Sequence, residues 1–258
     1  MMCGIAGYIN NNPLNTNKIK AVIERLHFRG PDDNGWNNFK FGENKYLSFI
    51  QTRLSILDVS KKGHQPFFLN SNCIIFNGEI YNYLEIKKKL NYFYKFKTTS
   101  DTEVLLAAYE KWGKDCLNKL KGAFAFCIYD LNEKIAFFAR DRFGQKPLFF
   151  WKNQNNLYFA SEIKGLIASG YEAKPNFKIW NDYLNFGKTD HNRHTFFKDI
   201  FQLLPGEHAV YKFNQNIKIN KWYDFKKNIL NKNNTNNIKD EILDKLSESI
   251  KINTRADV

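Results

Sequence analysis

A cysteine stands almost at the start of the chain, in Cys3-Gly4-Ile5-Ala6-Gly7-Tyr8-Ile9. With Met1 and Met2 absent, its thiol and the α-amino group share one residue. An α-amine titrates near ~7.7–8.0, so it can take the thiol proton without a histidine. Buried packing in a strand is the competing role, since free Cys is commonly buried. Three further features bear on the choice. Asn77-Gly78 puts a side-chain amide next to a glycine N–H, two donors suited to an oxyanion formed by thiolate attack on an amide. The same dipeptide is also a strong hairpin signal. Arg53 at a strand end is either a loop clamp or a bidentate partner for a carboxylate. Asp101, opening a helix, either compensates the helix dipole or receives an ammonium group. As a set they provide a nucleophile, two oxyanion donors, a cation and an anion. That set fits the side-chain amide, α-carboxylate and α-amine of glutamine or asparagine.

The elements that must position these residues follow from periodicity. Strands are expected over 3–9, 46–52, 73–76, 148–151 and 157–160, with a hairpin of 123–130 and 135–140 around Asn132. The segment 201–213 contains Pro205-Gly206 and then a strand, with 217–223 pairing to it. A helix capped by Thr16 or Asn17 carries Ile19, Val22, Ile23 and Leu26 at helical spacing. Further helices are expected through Leu84, Ile86 and Leu90, then after Asp101, and over 116–120, 161–168 and 175–186. Ser100 with Glu103 matches a capping box. Residues 29–33, 63–66, 141–148 and 189–194 read as loops. Asn and Lys crowd 228–237, which reads as a linker. Ile238, Ile242, Leu246 and Ile250 then mark one stripe of an amphipathic helix over 238–252.

Composition narrows the function class. A chain of 258 residues with 43% hydrophobic and 16% aromatic content can bury a sizeable core. No apolar run approaches the roughly 20 residues of a membrane span, and Asn10–Asn12 interrupt any signal-peptide pattern. The expectation is a cytoplasmic protein without membrane partners. Cys3, Cys73, Cys116 and Cys127 form no C-x-x-C pair, so neither a zinc site nor a dithiol motif is expected, and the last three read as packing residues. His27, His64, His191, His194 and His208 have no partner at ligand spacing. The net charge of +13 comes from scattered lysines without an aromatic-interleaved basic motif, so no nucleic-acid partner is expected.

Cys3-Gly4-Ile5, Arg29-Gly30-Pro31-Asp32, Arg53-Leu54-Ser55-Ile56, Asn77-Gly78-Glu79-Ile80-Tyr81-Asn82 and Ser100-Asp101-Thr102-Glu103 occur in that order. Asp141-Arg142-Phe143-Gly144 with Lys146-Pro147-Leu148, and Ala160-Ser161-Glu162-Ile163-Lys164, follow. This ordered set resembles the class II glutaminase domain of glutamine-dependent asparagine synthetases. The resemblance covers roughly residues 3–213 and continues weakly beyond. It implies an α+β, N-terminal-nucleophile fold, a four-layer αββα sandwich of two antiparallel sheets, with a C-terminal helical fragment. It implies glutamine hydrolysis with Cys3 as nucleophile, Asn77 and Gly78 as the oxyanion hole, and Arg53 and Asp101 on the substrate's backbone groups. Leu54, Ser55, Ile56, Leu57 and Glu79 would complete the glutamine site.

The same resemblance divides the chain into a glutaminase domain, 3–214, and a linker with the first helix of a synthetase domain, 215–258. The phosphate-binding Ser-Gly-Gly-Leu-Asp-Ser loop of the family does not occur. No cofactor or metal is therefore expected here. ATP and Mg belong to the synthetase domain, which would use the ammonia to convert aspartate to asparagine. The expected partners are glutamine and that synthetase domain, and a homodimer is compatible with both. Alternatives are a class II glutaminase feeding another acceptor, such as in surface-glycan pathways, and a non-catalytic folded module. The missing loop is one departure from the family pattern, and a second is Met1 before Met2-Cys3; a smaller one is Phe28, where relatives often carry His, a position to which the mechanism assigns no proton transfer. Retention of either methionine would take the amine away from Cys3.

Overall fold

The computed structural model describes residues 3–212, 215–229 and 238–257. Met1, Met2, the expected domain boundary at 214, Val258 and most of the expected linker (230–237) lie outside the described residues.

Twelve strands are formed among the described residues: β1 Gly4–Asn10, β2 Asp33–Lys40, β3 Tyr46–Arg53, β4 Phe67–Leu69, β5 Asn72–Ile80, β6 Gly122–Asp130, β7 Ile135–Arg140, β8 Phe149–Asn153, β9 Asn156–Ala160, β10 Ile200–Gln202, β11 Glu207–Lys212 and β12 Lys218–Lys221. The helices are α1 Thr16–Leu26, α2 Tyr83–Leu90, α3 Asp101–Trp112, α4 Ile163–Ala168, α5 Phe177–Phe186, α6 Phe225–Ile229 and α7 Ile238–Asn253. The strands make two six-stranded sheets, ordered β10-β8-β9-β1-β3-β2 and β12-β11-β7-β6-β5-β4. Their pairings are antiparallel, including β1 with β3 and β9, and β5 with β6. The architecture is α+β, with the two antiparallel sheets face to face and helices outside.

Side-chain alternation along the strands explains the layers. In β1, Ile5 and Ile9 join the core between the sheets, with Phe49, Ile75, Cys127, Phe138 and Phe159. Ala6 and Tyr8 point the other way, into a second core with Ile19, Val22 and Leu26 of α1 and Leu166 of α4. The second sheet does the same: Ile74, Phe76, Phe126 and Ile128 face Val104, Leu105 and Ala108 of α3 and Ile86 of α2. A strand covered on both faces reads as an unbroken apolar run, which is why β1 and β5 show no polar alternation. Each fully buried Phe contributes about 1.5–3 kcal/mol, so the aromatic layer is a large part of the stability.

Several local expectations are corrected. Asn15, not Thr16 or Asn17, caps α1, its side chain accepting from Lys18 N at 2.9 Å. Ser100 does cap α3, accepting from Thr102 N at 3.1 Å, but no reciprocal capping box forms. The Glu103 carboxylate is committed instead to Tyr94 Oη, Lys97 N, Thr98 N and Thr98 Oγ1. Residues 116–119 fall in a 3₁₀ helix over Gly113–Lys119, with Leu120 extended beyond it, and the helix expected from Ser161 begins at Ile163. β2 and β4 were not expected as strands; β2 is half-exposed and polar, the composition of an edge. Of the two readings open for Asn77-Gly78, the hairpin turn is not formed: β5 continues through it to Ile80.

The stripe predicted on α7 is present, and Ile238, Ile242, Leu246 and Ile250 all lie exposed. Cys73, Cys116 and Cys127 are buried and free. Among the described residues no helix is long and apolar enough to cross a membrane, and no cluster of His, Cys, Asp and Glu has a metal-binding arrangement.

Candidate active site

Cys3 precedes β1, with its side chain in a pocket between the ends of the two sheets. The Leu54 amide donates to Cys3 Sγ at 3.4 Å, and the thiol reaches Leu54 O at 3.6 Å. Burial pushes the thiol above its ordinary value, against a smaller lowering by the Leu54 hydrogen bond. Such a thiol needs a base before it can attack.

Its backbone is held by residues to which sequence reasoning gave no role of their own. Arg29 Nε donates to Cys3 O at 3.0 Å, and Arg29 Nη1 pairs with Glu162 Oε1 at 2.6 Å. Ser161 N donates to Ile5 O at 2.8 Å, and Ser161 Oγ accepts from Ile5 N at 3.1 Å. Gly30 lets this turn lie against β3: a Cβ there would meet Arg53 C at 2.4 Å and Thr52 O at 2.6 Å. The signal for these residues was their place in the ordered motif set, Arg-Gly-Pro-Asp and Ala-Ser-Glu, which says nothing of how they act.

β5 supplies the opposite wall. Alternate N–H groups of a strand point to the same edge. Phe76 N donates to Gln65 Oε1 at 2.7 Å, and Ile80 N donates to Asp101 Oδ2 at 2.8 Å. Gly78 N lies between them on that edge. Its partner residue in the ladder, Phe124, turns its own N–H and C=O to Asp141 instead. Gly78 has φ +150°, and a Cβ would meet Ala123 O at 2.1 Å, so only glycine fits. Next to it the Asn77 side chain is fully buried, and neither its Nδ2 nor its Oδ1 has a protein partner among the described residues. A buried amide left unpaired costs free energy. Together the Asn77 amide and the Gly78 N–H form a pair of preorganised donors.

Two charged groups complete the set. Arg53 is buried, and its guanidinium donates to Leu57 O and Ser60 O at 3.1 Å each and also to Asp58 O. It is therefore a clamp on the loop after β3, one of the two roles open from sequence. Asp101 is buried at the start of α3, and burial, with the Glu79 charge adding to it, raises its carboxyl to about 7. Burial also raises Glu79, while the Lys146 charge opposes it. Lys146 is pushed below its ordinary value by burial, against the pull of Glu79 and Asp141. It is delivered by a loop wrapped on the buried Asp141 carboxylate, which accepts from the backbone N–H of Phe124, Phe143, Gln145 and Lys146 at 3.0–3.2 Å.

One pocket is thus lined by Cys3, Arg53, Leu54, Ile56, Leu57, Asn77, Gly78, Glu79 and Asp101, all expected from sequence, and by Gln65 and Lys146, which were not. Ser55 is not brought to it: its N–H donates outward to Asp32 Oδ2 at 2.7 Å. The pocket holds a thiol, a side-chain amide beside a glycine N–H, and a buried carboxylate, with a buried guanidinium clamping its loop. Those parts suit acyl transfer from an amide.

A family model described as "Glutamine amidotransferase domain" matches residues 2–223. Asparagine synthetase (glutamine-hydrolyzing) 1 of Bacillus subtilis is 38% identical over 193 residues, 72% of this chain and 30% of the relative. Amidase chry2 of Gibberella zeae is 31% identical over 275 aligned residues, 100% of this chain and 40% of the relative. The chain thus spans well under half the length of these relatives. Among solved structures, the glutamine phosphoribosylpyrophosphate amidotransferase of B. subtilis superposes with a TM-score of 0.62 at 20% identity, over 86% of this chain and 49% of that one. The structure titled as the allosteric regulatory enzyme of purine biosynthesis gives 0.64 at 19% identity, with the same coverage. Both likenesses are of fold.

Proposed function

We propose, for a chain that belongs to the glutamine amidotransferase domain family, the hydrolysis of glutamine to glutamate and ammonia with Cys3 as the nucleophile. The observation that carries this reading is the fully buried Asn77 amide beside Gly78, without a protein partner among the described residues and in the same pocket as the Cys3 thiol. Cys3 Sγ attacks the side-chain carbonyl of glutamine. The oxyanion accepts hydrogen bonds from Asn77 Nδ2 and Gly78 N. The α-amine of Cys3, freed by loss of Met1 and Met2, takes the thiol proton and passes it to the departing ammonia. The resulting thioester is hydrolysed by water, which restores the thiol and releases glutamate. Asp101 receives the substrate ammonium. The backbone of Leu54, Ile56 and Leu57, on the loop that Arg53 clamps, receives its carboxylate, with Glu79 at the side of the pocket.

No cofactor or metal enters this half of the chemistry. The ammonia would pass to an ATP- and Mg-dependent synthetase domain that amidates aspartate, a reading supported by the name asparagine synthetase (glutamine-hydrolyzing) that the B. subtilis relatives carry. A second reading keeps the glutaminase and changes the acceptor. It is favoured by the alignment of amidase chry2 along 100% of this chain, where that of B. subtilis synthetase 1 covers 72%.

The test joins intact mass to activity. The working protein is expected to begin at Cys3 and to release glutamate from glutamine, and Cys3→Ala is expected to lose roughly a thousandfold or more in rate. A protein that begins at Cys3 and releases no glutamate overturns the proposal.

A further inference from the structure

The segment after α7 returns to the outer side of the pocket. The Arg255 guanidinium forks onto Glu85, Nη1 to Oε2 at 2.8 Å and Nη2 to Oε1 at 2.7 Å, and Nη1 also donates to Tyr81 O at 3.0 Å. The pair holds the Glu85 carboxyl down at about 2. Two residues on, Asp257 N donates to Ile56 O at 3.0 Å, and Asp257 Oδ2 accepts from Asp58 N at 2.7 Å. One short stretch therefore ties the start of α2, just beyond Asn77–Glu79, to the loop that carries Ile56 and Leu57 into the pocket.

Asp58 is the centre of that loop. Its backbone is left-handed, with φ +51°. Its carbonyl is taken by Arg53, its N–H by Asp257, and its carboxylate accepts from Ser60 Oγ at 2.5 Å and Thr99 N at 3.0 Å. Thr99 immediately precedes the cap of α3, whose first residue is Asp101. Asp58 thus links the Arg53 clamp to the cap of α3, and Asp257, two residues from Arg255, ties that link to the α2 side. Without it, Arg53 and Thr99 still hold Asp58, but the loop loses its anchor to the α2 side.

We propose that Arg255 and Asp257 are positioning residues for the glutamine pocket, fixing the loop over Ile56–Asp58 against the turn at Tyr81–Glu85. The proposal rests on the glutaminase reading given above. It concerns binding of the substrate's backbone groups and leaves the thiol and oxyanion donors untouched, so it separates KM from kcat.

The experiment uses the full chain with Arg255→Ala, Asp257→Ala and Asp257→Asn, and Lys251→Ala as a control on α7. Loss of a charge-assisted anchor is expected to raise the glutamine KM of both alanine variants roughly tenfold, with kcat within about twofold of wild type. Asp257→Asn keeps an acceptor for Asp58 N and is expected to restore most of the affinity. Hydrogen exchange at the amides of residues 56–60 is expected to accelerate in Asp257→Ala and not in Lys251→Ala. An unchanged KM in both alanine variants overturns the proposal, as does a loss in kcat that Asp257→Asn does not restore. If the wild-type chain hydrolyses no glutamine, the glutaminase reading fails. Exchange then decides alone: acceleration in Asp257→Ala upholds the anchoring of the loop, and unchanged exchange overturns it.

Discussion

The Leu54 amide donates to the Cys3 thiol at 3.4 Å across 51 residues of sequence. This contact joins the start of the chain to the loop after β3. It places the sulfur beside the loop clamped by Arg53 and opposite the Asn77–Gly78 wall. A backbone N–H on sulfur also favours the thiolate over the thiol, against the burial that disfavours it.

Asn77→Ala is expected to lower kcat by about 10²–10³ with little change in KM, the loss typical of an oxyanion donor. Because the amide has no protein partner among the described residues, the thermal midpoint should hold or rise slightly. Steady-state glutamate release and a melt on the same preparation check both halves. A KM effect as large as the kcat effect would move Asn77 from transition-state stabilisation to substrate binding.

Asp101 gives a pH signature. Its folded-state value of about 7 lies above the ordinary 3.8. Its stabilising contribution is therefore fully present below 3.8, where both states hold the proton, and is lost as pH rises through about 7. Urea melts across that range should show wild type losing stability with rising pH, with a slope up to about 1.4 kcal/mol per pH unit. Asp101→Asn should flatten it. A substrate ammonium favours the carboxylate, so glutamine affinity should rise through the same range as one proton is released. Calorimetry in buffers of different ionisation heat reads that proton.

Arg53→Lys tests the clamp. An ammonium cannot span the carbonyls of Leu57, Asp58 and Ser60 that the guanidinium reaches. Loss of these hydrogen bonds should cost about 1–3 kcal/mol and raise the glutamine KM as the loop loosens. Denaturant unfolding and kinetics on the variant measure the two effects together.

Gly78→Ala should be severe in both respects. The new methyl would sit 2.1 Å from Ala123 O, on a backbone with φ +150°. Separation of β5 from β6 at this point is expected to cost about 2–4 kcal/mol, read from the denaturation midpoint. The oxyanion edge would move with it, so activity should fall even in the fraction that remains folded.

Much of this was legible in the chain itself. Residue order and periodicity indicated most strands and helices, because apolar runs and caps are local signals. What was left open or misread was also local. Asn77-Gly78 has hairpin chemistry, yet the β6 ladder and the open edge beyond β4 keep it extended. Glu103 has the spacing of a capping box, yet the loop over residues 94–98 packs close enough to claim its carboxylate. β2 was missed because an exposed edge strand needs no apolar alternation.

Residue types and their order determined that a cysteine, an Asn-Gly pair, an arginine and an aspartate were available, and that amide chemistry was the use that fitted them. Tertiary structure decided the rest. It brought residues 3, 53, 77 and 101 to one pocket and left Ser55 outside. It turned Arg53 onto its own loop, where the carbonyls of Leu57, Asp58 and Ser60 take up its donors. It left the Asn77 amide without a protein partner among the described residues and raised Asp101 by burial. It also drew Arg29, Glu162, Asp141 and Asp257 in as supports. Hydrogen-bond partners and desolvation depend on distances between segments far apart in the chain, and spacing along a sequence does not encode those distances.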